Sequence, residues 1–386
     1  MNSLAVLSVD DLIASGAESD KSDREKIASK NPGLKDFFSL SQKDLENYLS
    51  QLSLENGYKY PKFRASQLIE WVYQKGVTDP DQWSNIAKVE REQFSKLFYF
   101  PKAIIKDRQI SVDGTRKYLF EVENGDAVEA VMIKQPKRMT LCVSSQVGCG
   151  MNCQFCRTAT MGFRRNLSTS EIMRQVLGVI EDAKQFDDSF SNIVFMGMGE
   201  PLHNVDNVVR ALNILTDHKG LAIPSRKITV STVGLVPAIK KFGDSMAPAN
   251  LAVSLNATTD EVRSSIMPIN KRFNIETLLA TLRQFPLKGR KRITIEYVML
   301  HGVNDSAADL KRLPKLLRGI PSKVNLIPYN ENAGLGFKSP PRDHVDRWQK
   351  ELNALDIDVT IRWSKGQDIS AACGQLATAS GRAGKC

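Results

Sequence analysis

The stretch "VSSQVGCGMNCQFCRTATMGFRRNLSTSEIM", residues 143–173, holds three of the chain's six cysteines, Cys149, Cys153 and Cys156, within eight residues. A strand-like segment, "TLCVSSQ", runs into it from Thr140. Ser168 to Glu171 close it with the S-x-x-E form of a capping box, ahead of the helical "IMRQVLGVI". Strand, cysteine loop and helix are the first turn of a series. From Met139 onward the alternation repeats, with strands "NIVFMGM", "KITVST", "LAVSLNA", "RITIEYVML", "KVNLIPYN" and "DVTIRW". Helices are predicted to begin near Ser168, Asn204, Val236, Asn274, Ala307 and Arg342. Such alternation argues for an α/β chain with parallel winding, as an open sheet or a full or partial barrel. Reactive residues in these folds gather at the C-terminal ends of the strands.

Three thiolates on one short loop can hold three corners of a metal site. One reading is a structural zinc with Cys142 as fourth ligand, but zinc sites usually show two separated C-x2-C pairs. A [4Fe–4S] cluster bound by three cysteines leaves one iron open to a small ligand, and the β/α setting favours that reading. Neither Cys142 nor Cys373, taken alone, stands out from an ordinary buried thiol.

The chain of 386 residues, 42% hydrophobic and 25% charged, is long enough for one large domain and a smaller one. No apolar run approaches a membrane span. The N-terminus has no basic n-region and no long apolar run, so it does not read as an export signal. A cytoplasmic location is expected, where clustered cysteines suggest metal or catalysis. The net charge of +10 and a pI near 9.2 favour a polyanionic partner. Basic residues gather at Lys134, Lys137 and Arg138, at Arg164 and Arg165, and at Lys288, Arg290, Lys291 and Arg292. Residues 1–38 read as a flexible tail and 39–100 as a small helical domain. Residues 101–138 read as a β-hairpin extension turning at Asn124-Gly125, residues 139–377 as the α/β domain and 378–386 as a second flexible end.

The blocks "TLCVSSQVGCGMNCQFC", "GFRRNL", "MGMGEPLHN", "LAVSLNATTDEVRSSIMPIN", "ITIEYVML", "NLIPYN" and "DISAACGQLA" follow one another between about residues 113 and 377. In that order they resemble the RlmN/Cfr group of radical S-adenosylmethionine (SAM) RNA adenine methyltransferases. The resemblance implies a partial (β/α)6 radical SAM barrel with an N-terminal helical RNA-binding domain. It implies one [4Fe–4S] cluster on Cys149, Cys153 and Cys156, and two SAM molecules per turnover. Ordinary methyl transfer needs a nucleophile, and the C2 and C8 carbons of adenine have no lone pair. The family therefore first methylates a cysteine, makes a radical on that methyl group and adds it to the base.

By match to the family's blocks, Cys373 is the methyl carrier, Cys142 resolves the adduct through a transient disulfide, and Glu129 is the proton acceptor. Gly199, Glu200, Ser231, Ser254, Leu255, Asn256 and Asn330 match SAM-contacting positions. Position 256 is commonly His in the family, so its imidazole is lost here. Arg164 and Arg165 are read as meeting RNA phosphate. The resemblance implies C2 methylation of an adenine in the peptidyl-transferase centre of 23S rRNA, and of the adenine 3′ of the anticodon in tRNA. It further implies an electron donor such as flavodoxin or ferredoxin, no membrane, and a monomer. The alternatives are C8 methylation of the same rRNA adenine, as in antibiotic resistance, and a non-catalytic zinc or Fe–S ribosome-binding protein.

Overall fold

The computed structural model describes residues 33–332 and 334–378. A short strand, β1 (Lys35–Asp36), leads into helices α1 (Gln42–Asn56), α2 (Arg64–Ile69) and α3 (Lys88–Ser95), and β2 (Phe98–Tyr99) pairs back on β1 in parallel. The start of α1 is set by a capping box in which Ser41 and Asp44 serve each other's backbone N–H groups, and its end by Gly57 at φ 67°. Phe37, Phe94 and Phe98 pack ring against ring in the core of this unit. Most of the expected tail lies outside the described residues, but its last part is corrected. Lys35 and Asp36 form β1, and Phe37 and Phe38 are buried, so the helical unit begins ahead of Ser39. Two adjacent phenylalanines at its entry are worth more buried than exposed.

The extension is a three-stranded antiparallel meander of β3 (Ile104–Ile110), β4 (Arg116–Glu121) and β5 (Ala127–Gln135), where a hairpin was expected. Strand β3 forms the edge of the sheet and is mostly exposed, so "IIKDRQI" lacks the alternation that marks a half-buried strand. The turn between β4 and β5 does fall at Asn124 (φ 60°) and Gly125 (φ 72°). Arg138, placed in the extension from sequence, opens β6 (Arg138–Cys142) instead, which pairs antiparallel with β5.

Beyond β6 come the small antiparallel pair β7 (Gln146–Gly148) and β8 (Phe163–Asn166), then α4 (Thr169–Ala183). The series continues with β9 (Asn192–Phe195), α5 (Val205–Thr216), β10 (Ile228–Thr232), α6 (Val236–Asp244) and β11 (Asn250–Ser254). It closes with α7 (Asp260–Ile266), α8 (Ile275–Arg283), β12 (Ile293–Met299), α9 (Ala307–Leu317), β13 (Ser322–Pro328), α10 (Arg342–Asn353) and β14 (Val359–Ile361). Strands β6, β9, β10, β11, β12, β13 and β14 are paired in parallel in that order. The single sheet runs β14-β13-β12-β11-β10-β9-β6-β5-β4-β3. Since β6 and β14 do not meet, this is an open partial barrel of six β/α units followed by a short last strand. Ser168 caps α4 with the expected box, its side chain taking the Glu171 N–H while Glu171 takes that of Ser168. Among the described residues no helix is long and apolar enough to cross a membrane.

Candidate active site

The C-terminal ends of the parallel strands open onto a cavity of about 130 Å³. The loop after β6 supplies Cys149, Cys153 and Cys156 to its wall, and the chain beyond β14 supplies Cys373, Gly374 and Leu376. Gly199, Glu200, Ser231, Ser254 and Asn330 line it as well. Nine of the residues singled out from sequence thus share one wall, although they are spread over more than two hundred positions.

The cysteine loop is held at its base. Gly148 stands at φ 73°, and a Cβ there would lie 1.9 Å from the Gly162 carbonyl oxygen. That carbonyl accepts the Cys149 N–H at 2.8 Å, so only glycine lets the two ends of the loop touch. Cys149 and Cys153 are buried, and burial pushes all three thiols up. At Cys153 charge repulsion from Cys149 and Cys156 adds to the effect of burial. Among the described residues no three His, Cys, Asp or Glu side chains are already drawn together as an ion would hold them. Three thiols on one turn facing an open cavity, those of Cys149 and Cys153 buried and that of Cys156 half-buried, are nevertheless a fitting donor set for an iron–sulfur cluster with one position left to a ligand.

Opposite this loop, Gly199 (φ 101°) brings its backbone against Gln146, whose Cβ a side chain there would meet at 2.5 Å. Gln146 Oε1 accepts the Glu200 N–H at 2.8 Å. Glu200 is buried, and its two carboxylate oxygens accept the backbone N–H groups of Leu202 (3.0 Å) and Val233 (2.9 Å). Burial outweighs these bonds and raises its pKa to about 7. The Ser231 hydroxyl donates to Glu296 Oε2 at 2.8 Å. The Asn330 amide donates to the Cys373 carbonyl at 3.0 Å and its oxygen accepts from Gln367 at 3.1 Å.

Two of the residues expected to contact SAM lie outside the cavity lining. Leu255 and Asn256 do not line the cavity; Leu255 is fully buried in the core. Asn256, at φ 58°, turns its amide into the protein. Its oxygen accepts the Val298 N–H at 2.8 Å and its nitrogen reaches Met267 Sδ at 3.2 Å. Asn256 therefore ties the end of β11 to β12. Arg165 is also corrected: it is buried, and its guanidinium is spent on Asp126 and Glu171. Arg164, half exposed, pairs with Asp126 at 3.0 Å.

Cys142 and Glu129 stand behind the cavity wall. Burial pushes the Cys142 thiol up to about 12 and that of Cys373 to about 11, while Arg362 draws both back down. The Arg362 guanidinium donates to Met196 Sδ at 3.1 Å and lies 4.0 Å from Glu296 Oε1. Glu129 is buried, with Oε1 3.1 Å from Lys117 Nζ and Oε2 accepting the Ala377 N–H at 2.9 Å. Burial raises its pKa and Lys117 opposes that rise. Glu129 thereby fastens β5 to the segment that carries Cys373.

Sequence reasoning passed over Glu296, Arg362 and Lys117. Glu296 and Arg362 had a readable signal, a single charge in or just after the largely apolar strand segments "ITIEYVML" and "VTIRW"; Lys117, beside Arg116 in "TRKYLF", had none. Glu296 is the most telling, because its Oε1 is buried without a hydrogen-bond partner and the residue lines the cavity.

An open parallel barrel with three cysteines on the loop after its first strand defines the class of radical SAM enzymes. The Radical SAM superfamily model matches residues 143–313, and the model of the ribosomal RNA large subunit methyltransferase N-terminal domain matches residues 35–99. A dual-specificity RNA methyltransferase RlmN of Geobacter sulfurreducens is 49% identical over 88% of this chain and 91% of its own. The RlmN of Campylobacter fetus is 43% identical over 89% of this chain and 98% of its own. The crystal structure of a radical SAM methyltransferase from Sphaerobacter thermophilus superposes with a TM-score of 0.79 at 38% identity, covering 88% of this chain and 98% of that one. The chain belongs to the RlmN family of the radical SAM superfamily. With that family come a [4Fe–4S] cluster and SAM.

Proposed function

We propose that this chain is a radical SAM RNA methyltransferase acting on C2 of an adenine, in the peptidyl-transferase centre of 23S rRNA and 3′ of the anticodon in tRNA. The observation that carries this reading is the pair of thiols outside the cysteine loop, Cys373 in the cavity wall and Cys142 behind it, both under the influence of Arg362. A metal-binding module has no use for such a pair. Relatives named as dual-specificity RNA methyltransferases support two RNA classes as substrate.

In this reading Cys149, Cys153 and Cys156 hold the cluster, and Gly199, Glu200, Ser231, Ser254 and Asn330 hold SAM. Glu296 offers Oε1, which makes no hydrogen bond, to a hydroxyl or amine of the same ligand. When bound, cluster and SAM supply a methyl group and a 5′-deoxyadenosyl radical. The Cys373 thiolate takes the methyl group and carries it as a thioether, because the base carbon has no lone pair with which to take it directly. Loss of a hydrogen atom from the thioether methyl group to that radical would let its carbon bridge to the base; the adduct would then return one electron to the cluster, and Glu129 takes the proton from C2. Cys142 then attacks the Cys373 sulfur and forms a disulfide. The electrons of the broken S–C bond stay on the new methyl carbon, which takes up a proton and leaves with the base. A flavodoxin- or ferredoxin-type donor, a cytoplasmic location and a monomeric state complete the proposal.

The test is an anaerobic reaction of reconstituted enzyme with a 23S rRNA fragment or tRNA, reductant and methyl-deuterated SAM, followed by mass spectrometry of the nucleosides. Labelled 2-methyladenosine is expected. Labelled 8-methyladenosine, or no labelled adenosine despite a sound cluster, would overturn the proposal.

A further inference from the structure

The segment from β14 to Cys373 runs along the rim of the cavity, anchored at two points. Arg362 reaches inward to Met196, 3.1 Å away, and Gln367 donates to Asn330 at 3.1 Å; Met196 and Asn330 both line the cavity. Between these anchors Trp363 turns outward and remains 41% exposed. The other three tryptophans, Trp71, Trp83 and Trp348, are each at most 9% exposed. The Arg342 guanidinium lies over the Trp363 ring, 4.7 Å from its centroid. Arg342 opens α10, at the end of the loop that leaves the cavity after Asn330. An indole and a cation therefore meet where two cavity-lining segments emerge. No carboxylate among the described residues lies within ion-pair distance of Arg342 or of the neighbouring Lys365.

We infer that Trp363 and Arg342 form a stacking platform for an unpaired RNA base flanking the target adenine. The inference rests on the reading of the chain as an RNA methyltransferase and adds the surface that receives the strand. An adenine delivered to Cys373 is out of its stack, so its neighbours lose their own stacking partners as they cross the rim. An exposed aromatic face stacks any base, and a guanidinium beside it adds cation–π attraction and attracts phosphate. A buried indole could not stack a base, and an exposed one without Arg342 and Lys365 beside it would lack their attraction for phosphate.

Because Trp363 is the one exposed tryptophan, a change in emission that Trp363→Phe abolishes reports on it. The experiment is a fluorescence titration of the full chain with an unlabelled single-stranded RNA oligonucleotide carrying one adenine, with an independent binding assay alongside. Quenching is expected in step with binding. Trp363→Phe should bind nearly as the parent does but lose the emission change. Trp363→Ala should bind more weakly, on the order of tenfold. If RNA saturates the parent chain with its emission unchanged, or if Trp363→Ala binds like the parent, the platform is wrong while the RNA reading stands. If the parent chain binds no RNA, both fall.

Discussion

Arg362 shows how a single side chain can set the chemistry of two others. Cys142 and Cys373 have thiol values of about 12 and about 11, both raised from 9.0 by burial, and Arg362 is the cation that lowers both. With folded values above the unfolded one, these thiols add stability that is fully present below the ordinary thiol range. That stability is lost as pH climbs from about 9 toward 11 and 12. Through the neutral range both are protonated in the ligand-free protein, and a nucleophilic role depends on the small thiolate fraction. Arg362→Met removes the opposing charge and is expected to slow alkylation of both cysteines by iodoacetamide at any fixed pH between 8 and 10, roughly tenfold per unit of added shift. Peptide mass spectrometry measures the two rates, with denatured protein as reference, and Arg362→Lys should recover part of the loss. Unchanged rates would mean that the guanidinium does not act on the thiols.

The loop between β7 and β8 is built on backbone contact, and its tolerance to substitution follows. At Gly148 a methyl group meets a carbonyl oxygen that cannot move without opening the loop, and the residue also stands at φ 73°. Gly148→Ala is expected to cost about 2 kcal/mol or more and to lower iron content after reconstitution. Gly125→Ala in the β4–β5 turn, at φ 72° with open space around it, should cost only about 1 kcal/mol. Denaturant midpoints compare the two; equal losses would deny the loop its rigidity. The helix starts and the parallel strands were readable because caps and apolar runs are local signals: Ser168 caps its helix with the expected box, and Asn274 and Ser306 cap the helices expected near Asn274 and Ala307. Strand β3 was not readable, because an exposed edge imposes no alternation. The orientation of Leu255 and Asn256 was not readable for another local reason. A strand end shows where a residue sits but not which way a positive-φ asparagine turns, and Asn256 turned inward. Glu296 and Arg362 were missed because a lone charge in a strand reads as solvent-facing until its neighbours across the sheet are known.

At the scale of the whole molecule, a net charge of +10 invites the conclusion that every basic cluster meets RNA. The fold separates them. Lys288, Lys291 and Arg292 flank a groove at the N-terminal ends of β11 and β12, whereas the cavity opens at the C-terminal ends. Arg342 and Lys365 sit on the rim side, on the segments after β13 and β14. A strand whose adenine occupies the cavity can touch the rim cations but not, over the same few nucleotides, those at the far end. Each phosphate neutralised contributes roughly 0.7 to the slope of log affinity against log salt for a single strand. The Arg342→Gln/Lys365→Gln double variant should therefore flatten that slope by about 1.4, and the Lys288→Gln/Lys291→Gln variant should leave it unchanged. SAM affinity, set inside a cavity, should move little with salt in either variant. Filter binding of a short RNA across a salt series decides the matter. A loss confined to the Lys288 and Lys291 variant would place the RNA path around the bottom of the barrel, away from the cysteines.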